Sequence, residues 1–259
     1  MTSRDRTPGG RPARRPSLQE VRPGIVAEAR SFGPALLIAF LVLIVVSASV
    51  GRVYVVPSGS MEPTLHGCTG CNNDRIVVEK VSYYFNDPQP GDVIVFEGPD
   101  SWNTDFHSER SSNVVLRGFQ NLMAAVGMLP NSENILTKRV IATEGQTVSC
   151  QAGDPGIMVD GAVIESDFTL SPVANPVSPE TGSEACGGDY FGPVTVPEHS
   201  LWVMGDNRTN SADSRYHMGD VLQGTVPVDN VRGKVRFIIL PFNRIGGVDN
   251  VDLNEDPAA

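Results

Sequence analysis

The sequence predicts a mostly β protein. It has a partly closed antiparallel β core with a smaller inserted β and loop lobe, and one N-terminal transmembrane helix precedes the core. Three observations carry this reading. Short apolar runs punctuated by Pro, Gly, Asn and Asp recur along the chain from Arg75 onward, the pattern of short strands joined by turns rather than of alternating strands and helices. An apolar run of helix-spanning length, Pro34 to Val50, lies near the N-terminus. Residues 151–195 are rich in Gly, Pro and Asp and are bracketed by Cys150 and Cys186, which sets them apart as an insert.

The elements follow in order. Residues 1–31 form an Arg-rich tail with seven Arg among the first thirty positions against three acidic residues. Its Thr7-Pro8-Gly9-Gly10-Arg11-Pro12 stretch cannot build a core. Arginines before a first apolar helix hold that end in the cytoplasm and put the bulk of the chain outside. The run from Pro34 gives ~26 Å of helix, short for a span. Val53 to Val56 extend it, with Arg52 snorkelling to the interface, so the helix is expected over 32–54. A cleaved secretory signal is the alternative, because Ser47-Ala48-Ser49 is a patch of small residues. The long basic leader and the length of the run argue against it, and either reading exports the rest of the chain.

Strands are then predicted at Arg75–Lys80, Val93–Phe96, launched by the Pro90-Gly91-Asp92 turn, Ile135–Ala142, Ile157–Ile164, Leu201–Met204 and Val235–Leu240. Val114–Met128 has helical apolar spacing and few charges, which suits a packed helix or one lying on lipid. The catalytic core is expected over 55–150 and 196–245, and the acidic tail 246–259 is expected to fray from Asp249.

The net charge of -10 sits wholly outside the basic tail and argues against a nucleic-acid partner. Four cysteines are present. Cys68-Thr69-Gly70-Cys71 has redox-motif spacing without a thioredoxin-like setting. Two structural bridges, Cys68–Cys71 and Cys150–Cys186, are the simplest of three possible connectivities.

Ser60, in the turn Pro57-Ser58-Gly59-Ser60-Met61-Glu62-Pro63, lies ten residues beyond the apolar run, at most ~35 Å of extended chain. A serine hydroxyl needs a base to become a nucleophile. His66, His107, His199 and His217 sit in no recognisable triad context, and Ser60 is not in a G-x-S-x-G elbow. Lys138 is the sharper candidate. With period two, Leu136, Lys138, Val140 and Ala142 share one strand face while Arg139 points the other way. An apolar setting disfavours the charged ammonium and lowers its pKa, and Ser-Lys pairs are a variant of triad logic. A third segment, Met204 to Arg215, packs Asp206, Asp213, Arg208, Arg215 and several hydroxyls into twelve residues. That composition suits a rigid hydrogen-bonded bracket as well as an ordinary polar turn.

The Ser60 turn, Gly91-Asp92-Val93-Ile94-Val95-Phe96, Lys138-Arg139-Val140-Ile141 and Gly205-Asp206-Asn207-Arg208 to Arg215 occur in an order that resembles the bacterial type I signal (leader) peptidases, from the apolar run to about Phe242. The basic leader and the insert resemble the actinobacterial branch. The resemblance implies a membrane-anchored Ser/Lys endopeptidase that cuts signal peptides from exported preproteins after small residues at -3 and -1. It implies Ser60 as nucleophile and Lys138 as general base. The Ser60 N–H and the Ser58 hydroxyl would form the oxyanion hole, and Ser211 would orient the Lys138 amine. Asp206, Asp213, Arg139 and Arg215 would form structural ion pairs.

Partners would be signal peptides and the lipid bilayer, with no metal or cofactor. The implied location is the cytoplasmic membrane, single-pass, with the N-terminus inside and the catalytic domain on the outer face. Thr209 stands where the family usually has Asp, and Ala142, Glu144 and Gln146 replace its common Gly, Pro and Asp. None of these is a catalytic position. The competing readings are a pilin- or conjugation-type maturation peptidase, a sortase-type transpeptidase using a cysteine, and a non-catalytic anchored peptide-binding β domain.

Overall fold

A computed structural model describes residues 33–40, 42, 51–68, 70–102, 113–125 and 134–253. Within them the apolar runs become strands where β-branched and aromatic residues dominate. In chain order these are β1 (Gly51–Val55), β2 (Arg75–Glu79), β3 (Val93–Glu97), β4 (Ile135–Thr143), β5 (Thr147–Cys150), β6 (Met158–Val159), β7 (Ala162–Val163), β8 (Gly182–Ser183), β9 (Gly188–Asp189), β10 (Phe191–Thr195), β11 (Ser200–Met204), β12 (Val226–Pro227), β13 (Val231–Leu240) and β14 (Gly246–Gly247).

Eight of them make one antiparallel sheet in the order β1-β2-β13-β3-β4-β11-β12, with β14 added to β13. Its central strand β3 is buried on both faces. Val93 and Val95 join Tyr54, Val56, Met61 and Leu65 in one cluster, while Ile94 and Phe96 join Val140, Leu201 and Val203 in another. Each such side chain contributes about 1.5–3 kcal/mol on burial. The β3–β4 register sets Val93 opposite Arg139 and Ile94 opposite Lys138. A one-residue slip is therefore excluded by the two cores, since it would exchange the faces.

The 151–195 region carries β6 to β10. A four-stranded sheet runs β10-β5-β6-β7, and β8 pairs with β9. The expected single strand across Ile157–Ile164 is a hairpin instead. Asp160 and Gly161 both have positive φ, 51° and 82°, as a two-residue type I′ turn requires, and Asp-Gly is a dipeptide that enters it readily. Both expected disulfides are formed, Cys68–Cys71 and Cys150–Cys186. The second lies in a buried cluster with Ile157, Phe191, Trp202, Met204 and Leu253, so the lobe and the main sheet share a core.

Three expectations change. Residues 51–54, expected as the end of a membrane helix, belong to β1 and pair with β2, where Val53-Tyr54-Val55 fits a pleated, half-buried surface. Residues 33–40 are helical. The tail 1–31 and positions 32, 41 and 43–50 lie outside the described residues. Among the described residues no helix is long and apolar enough to cross a membrane.

The helix predicted to run to Met128 is described over Val114–Ala125, and 126–128 lie outside. Its Val114, Val115 and Leu116 are exposed rather than packed. The acidic end does not fray at Asp249. Val248 and Leu253 are buried, and the Leu253 carbonyl accepts from the Glu165 N–H at 3.1 Å.

That docking depends on Gly91. Its φ is +92°, and a Cβ there would lie 1.8 Å from the Val251 carbonyl oxygen. Gly91→Ala is therefore expected to push the 249–253 segment away and to strain the turn, lowering the thermal midpoint by roughly 5 °C or more. Calorimetry with limited proteolysis of the C-terminus checks this; an unchanged midpoint and cleavage pattern would count against the docking.

Candidate active site

Ser60 occupies a 3₁₀ turn, Gly59–Met61, between β1 and β2. Met61 buries into the main core and pins the turn. The segment after β11 clamps it from the other side: the Asn207 N–H donates to the Ser60 carbonyl at 3.1 Å, and Asn207 Nδ2 donates to the Gly59 carbonyl at 3.0 Å. Gly205 allows this approach. A Cβ there would lie 2.4 Å from the Ser60 carbonyl oxygen and 2.4 Å from Ser211 Oγ.

Lys138 reaches the turn from β4. Its Nζ donates to Ser60 Oγ at 2.6 Å, and the Ser58 and Ser60 hydroxyls lie 3.3 Å apart. Lys138 is 4% exposed and Ser60 9%. Burial pushes the Lys138 amine down to about 8, and the Arg215 charge adds to it, against Asp213 and Asp206, which favour the charged form. Leu136 and Val140 keep the apolar face predicted for Lys138. Ala142 does not: a bulge in β4 opposite Trp202 and Val203 turns it, with Ile141, into the second core. Arg139 faces away from Lys138 as expected, yet is itself buried, because β4 is enclosed on both sides.

Two carboxylates surround the pair, and each is held by a guanidinium. Arg139 grips Asp206 bidentately, Nε to Oδ1 at 2.9 Å and Nη2 to Oδ2 at 2.7 Å. Thr64 Oγ1 donates to the same carboxylate at 2.6 Å. Arg139 Nη1 donates to the Gly91 carbonyl, and its guanidinium lies 4.4 Å from the centre of the Phe168 ring. Arg215 grips Asp213 through Nε and Nη2 at 2.9 and 2.8 Å. Burial works to raise the Asp213 carboxyl, but Arg215 and the Gly205 N–H outweigh it and hold it below the usual carboxylate range.

All eight sequence-predicted residues thus gather in one region. Ser211 departs in detail. It is buried beside Gly205, but its Oγ makes no hydrogen bond among the described residues, so it does not hold the Lys138 amine. His66, His199 and His217 do not hydrogen-bond Ser60, whose hydroxyl contacts are Lys138 and Ser58; His217 stacks on Trp102. His107 lies outside the described residues. All four cysteines are bridged, which removes the thiol a transpeptidase would need.

Sequence reasoning missed Asn207, Thr64 and Phe168, and gave Arg208 no role. It also missed a second buried centre in which Asp92 accepts from Lys234 Nζ at 2.6 Å, Tyr83 Oη at 2.8 Å and Asn250 Nδ2 at 2.6 Å. This centre anchors the start of β3 next to Arg139. The Asn207 signal was present in the polar bracket; nothing local foretold Lys234 or Asn250.

Residues 29–240 match the family model described as "Signal peptidase, peptidase S26". Over 215 residues the chain is 52% identical to the "Probable signal peptidase I" of Mycobacterium leprae (strain TN), covering 78% of this chain and 73% of the relative. It is 49% identical over 238 residues to the "Signal peptidase I" of Mycobacterium tuberculosis (strain ATCC 25618 / H37Rv), covering 90% and 80%. A "Signal peptidase I" of Leptolyngbya laminosa is 32% identical over 198 residues, 76% of this chain and 72% of the relative.

The electrostatics can be read directly. In NMR titration of the lysine side chains, Lys138 is expected to titrate at about 8. Gly205→Ala should push the Ser60 turn off its bracket, admit water and return that titration toward the ordinary 10.5. An ordinary lysine titration in the unsubstituted protein would refute the buried setting.

Proposed function

The chain belongs to the peptidase S26 signal peptidase family and is a serine endopeptidase of that class, actinobacterial in type; on that premise we propose that Ser60 is its nucleophile and Lys138 its general base. The observation that carries the proposal is the 2.6 Å contact between Lys138 Nζ and Ser60 Oγ, made by two enclosed side chains from distant parts of the sequence.

The chemistry follows from that contact. When the amine is neutral its lone pair faces the Ser60 hydroxyl proton. Ser60 Oγ attacks the scissile carbonyl as the proton passes to Nζ, and the resulting oxyanion is received by the Ser60 N–H and the Ser58 hydroxyl. One such donor is typically worth ~3 kcal/mol. The Lys138 ammonium then protonates the leaving amine, giving an acyl-Ser60 ester and the mature chain's new N-terminus. Lys138, neutral again, takes a proton from the water that attacks the ester and returns it to the departing Ser60 Oγ, which restores the hydroxyl and releases the signal peptide. With the amine at about 8, about a tenth of it is neutral at pH 7, enough for a base poised near the working pH.

A substrate with small residues at -3 and -1 offers little side chain to grip, so backbone pairing must supply recognition. β4 supports this. It is paired to β3 from Ile135 to Arg139 but to β11 only from Arg139 onward. The β11 side of Ile135–Lys138 thus has no strand partner among the described residues. An extended peptide added there would lead its scissile bond to Lys138 and Ser60. The apolar run before β1 would anchor the enzyme in the cytoplasmic membrane, N-terminus inside, and bring the site to the outer surface where the apolar part of a signal peptide ends. Residues 55–150 and 196–245 would then act as the catalytic core, with 151–195 as a lobe inserted into it.

Lys138→Ala in the full chain is expected to lower kcat/KM for a preprotein by about 10³-fold or more while the thermal transition stays cooperative. Ser60→Ala should do the same. Substantial cleavage by either variant would sink the dyad. The active form is the neutral amine, so kcat/KM should rise with pH through the region near 8 and fall tenfold per unit well below it. A profile controlled near pH 6.5 would point instead to histidine.

A further inference from the structure

The charges enclosed around the dyad do not balance. Two buried guanidiniums, Arg139 and Arg208, and the nearly buried Arg215 share this region with two buried carboxylates, Asp206 and Asp213. Arg139 occupies both oxygens of Asp206, and Arg215 both oxygens of Asp213. Arg208 is left without a carboxylate. It is 7% exposed, and its Nε and Nη2 make no hydrogen bond among the described residues. Its aromatic neighbour, Phe168, lies 5.4 Å from the guanidinium and already faces Arg139 more closely. Burial, then the charge of Arg215, pull the Arg208 guanidinium down to about 10. A buried cation in this state is expected to meet an anion from outside the chain.

Arg208 is also held in place. Gly187, with φ +67°, runs so close over its stem that a Cβ there would lie 2.5 Å from the Arg208 Cβ. Arg215 Nη2 donates to the Arg208 carbonyl at 2.7 Å. The side chain lines a cavity of about 450 Å³, together with Ser211, Thr209, Tyr190 and Tyr216. Asp189 stands at its exposed rim, where it accepts from Thr181. Ser211 is the second donor in this wall whose polar atom has no partner. It is also the link to the chemistry, because it abuts Gly205 at the point where Gly205 abuts the Ser60 carbonyl.

We propose that this cavity is a specificity subsite that takes a carboxylate side chain of the polypeptide being cleaved, with Arg208 and Ser211 as its donors. The proposal rests on the reading of Ser60 and Lys138 as the cleaving pair. A substrate carboxylate suits the site better than a lipid phosphate, because the cavity shares Ser211 with the bracket that holds the nucleophile. An extended chain advances about 3.3 Å per residue, so a side chain within a few positions of the scissile bond reaches it.

The test is a scan with the full chain in detergent. Peptides with fixed small residues at -3 and -1 carry a single Asp, or Asn as its neutral counterpart, at successive positions on either side of the cut. At one position Asp should exceed Asn in kcat/KM by roughly tenfold, mainly through KM. Arg208→Gln should erase that ratio and Arg208→Lys should keep part of it. The ratio is taken within each variant, so a general loss of activity cancels. A flat scan in the unsubstituted protein, or a preference that survives Arg208→Gln, overturns the proposal.

Inorganic phosphate separates the other source of an anion. If it reduces the Asp preference by competition, the subsite stands. If it raises the thermal midpoint only when Arg208 is present while the scan is flat, the cavity is a phosphate site and the proposal falls. Lys138→Ala keeps the two readings apart: loss of cleavage in that variant with a flat Asp scan in the unsubstituted protein removes the subsite alone, whereas retained cleavage with an Arg208-dependent preference removes the dyad alone.

Discussion

Everything in this site follows from lowering the proton affinity of one lysine beside two carboxylates. Asp206 and Asp213 both favour the protonated amine, and burial must outweigh them. Left free, two buried carboxylates near an amine would hold the proton on it, since charges interact far more strongly away from water. The structure instead closes each carboxylate onto a guanidinium, Asp206 on Arg139 and Asp213 on Arg215. These pairs are not evidence of stability, because burying an ion pair costs about as much as it returns. Their effect is electrostatic: they occupy the carboxylate oxygens with fixed donors and leave desolvation as the largest influence on Lys138.

The backbone carries the same constraint. Lys138 and Arg139 are adjacent on β4 and must point to opposite faces, one toward the Ser60 turn and one toward Asp206. Pairing of β3 with β4 fixes that register, and the two cores on either side of β3 fix its sense. Asp206 and Asn207 are adjacent too. One accepts Arg139 while the other holds the Ser60 turn through two hydrogen bonds. Gly205, without a side chain, lets these two layers touch. The Asp92 centre serves the same end from further away, since it fixes the residue next to Gly91, whose carbonyl takes the third Arg139 contact.

What the sequence disclosed, and what it hid, divides along physical lines. Local patterns were legible: the run containing Lys138, the turn containing Ser60, the polar bracket and both disulfides. Period two placed Lys138 and Arg139 on opposite faces but misplaced Ala142, because the bulge opposite Trp202 and Val203 leaves no local mark. Gly51 to Tyr54 read as helix because strand and membrane helix draw on the same apolar residues, and the partner strand β2 lies some twenty residues on. The Asp160-Gly161 turn was readable in principle. The contacts of Asp92 with Lys234 and Asn250, and of Asp74 with Arg244, join residues far apart in the chain, and no short-range pattern encodes them. That Arg208 grips no carboxylate was equally hidden, since it depends on how two other arginines use Asp206 and Asp213.

The inserted lobe also takes on a different meaning once these contacts are counted together. Its Cys150–Cys186 bridge lies in one core with Trp202 and Met204, just before the polar bracket. The residue after that bridge, Gly187, offers its carbonyl to Arg215 at 2.7 Å and its open face to the stem of Arg208. Phe168 supplies the ring against which Arg139 and Arg208 lie. The lobe therefore touches Arg139, Arg208 and Arg215. A segment that the sequence set apart as an insertion thus helps to fix the guanidiniums that hold the carboxylates beside Lys138.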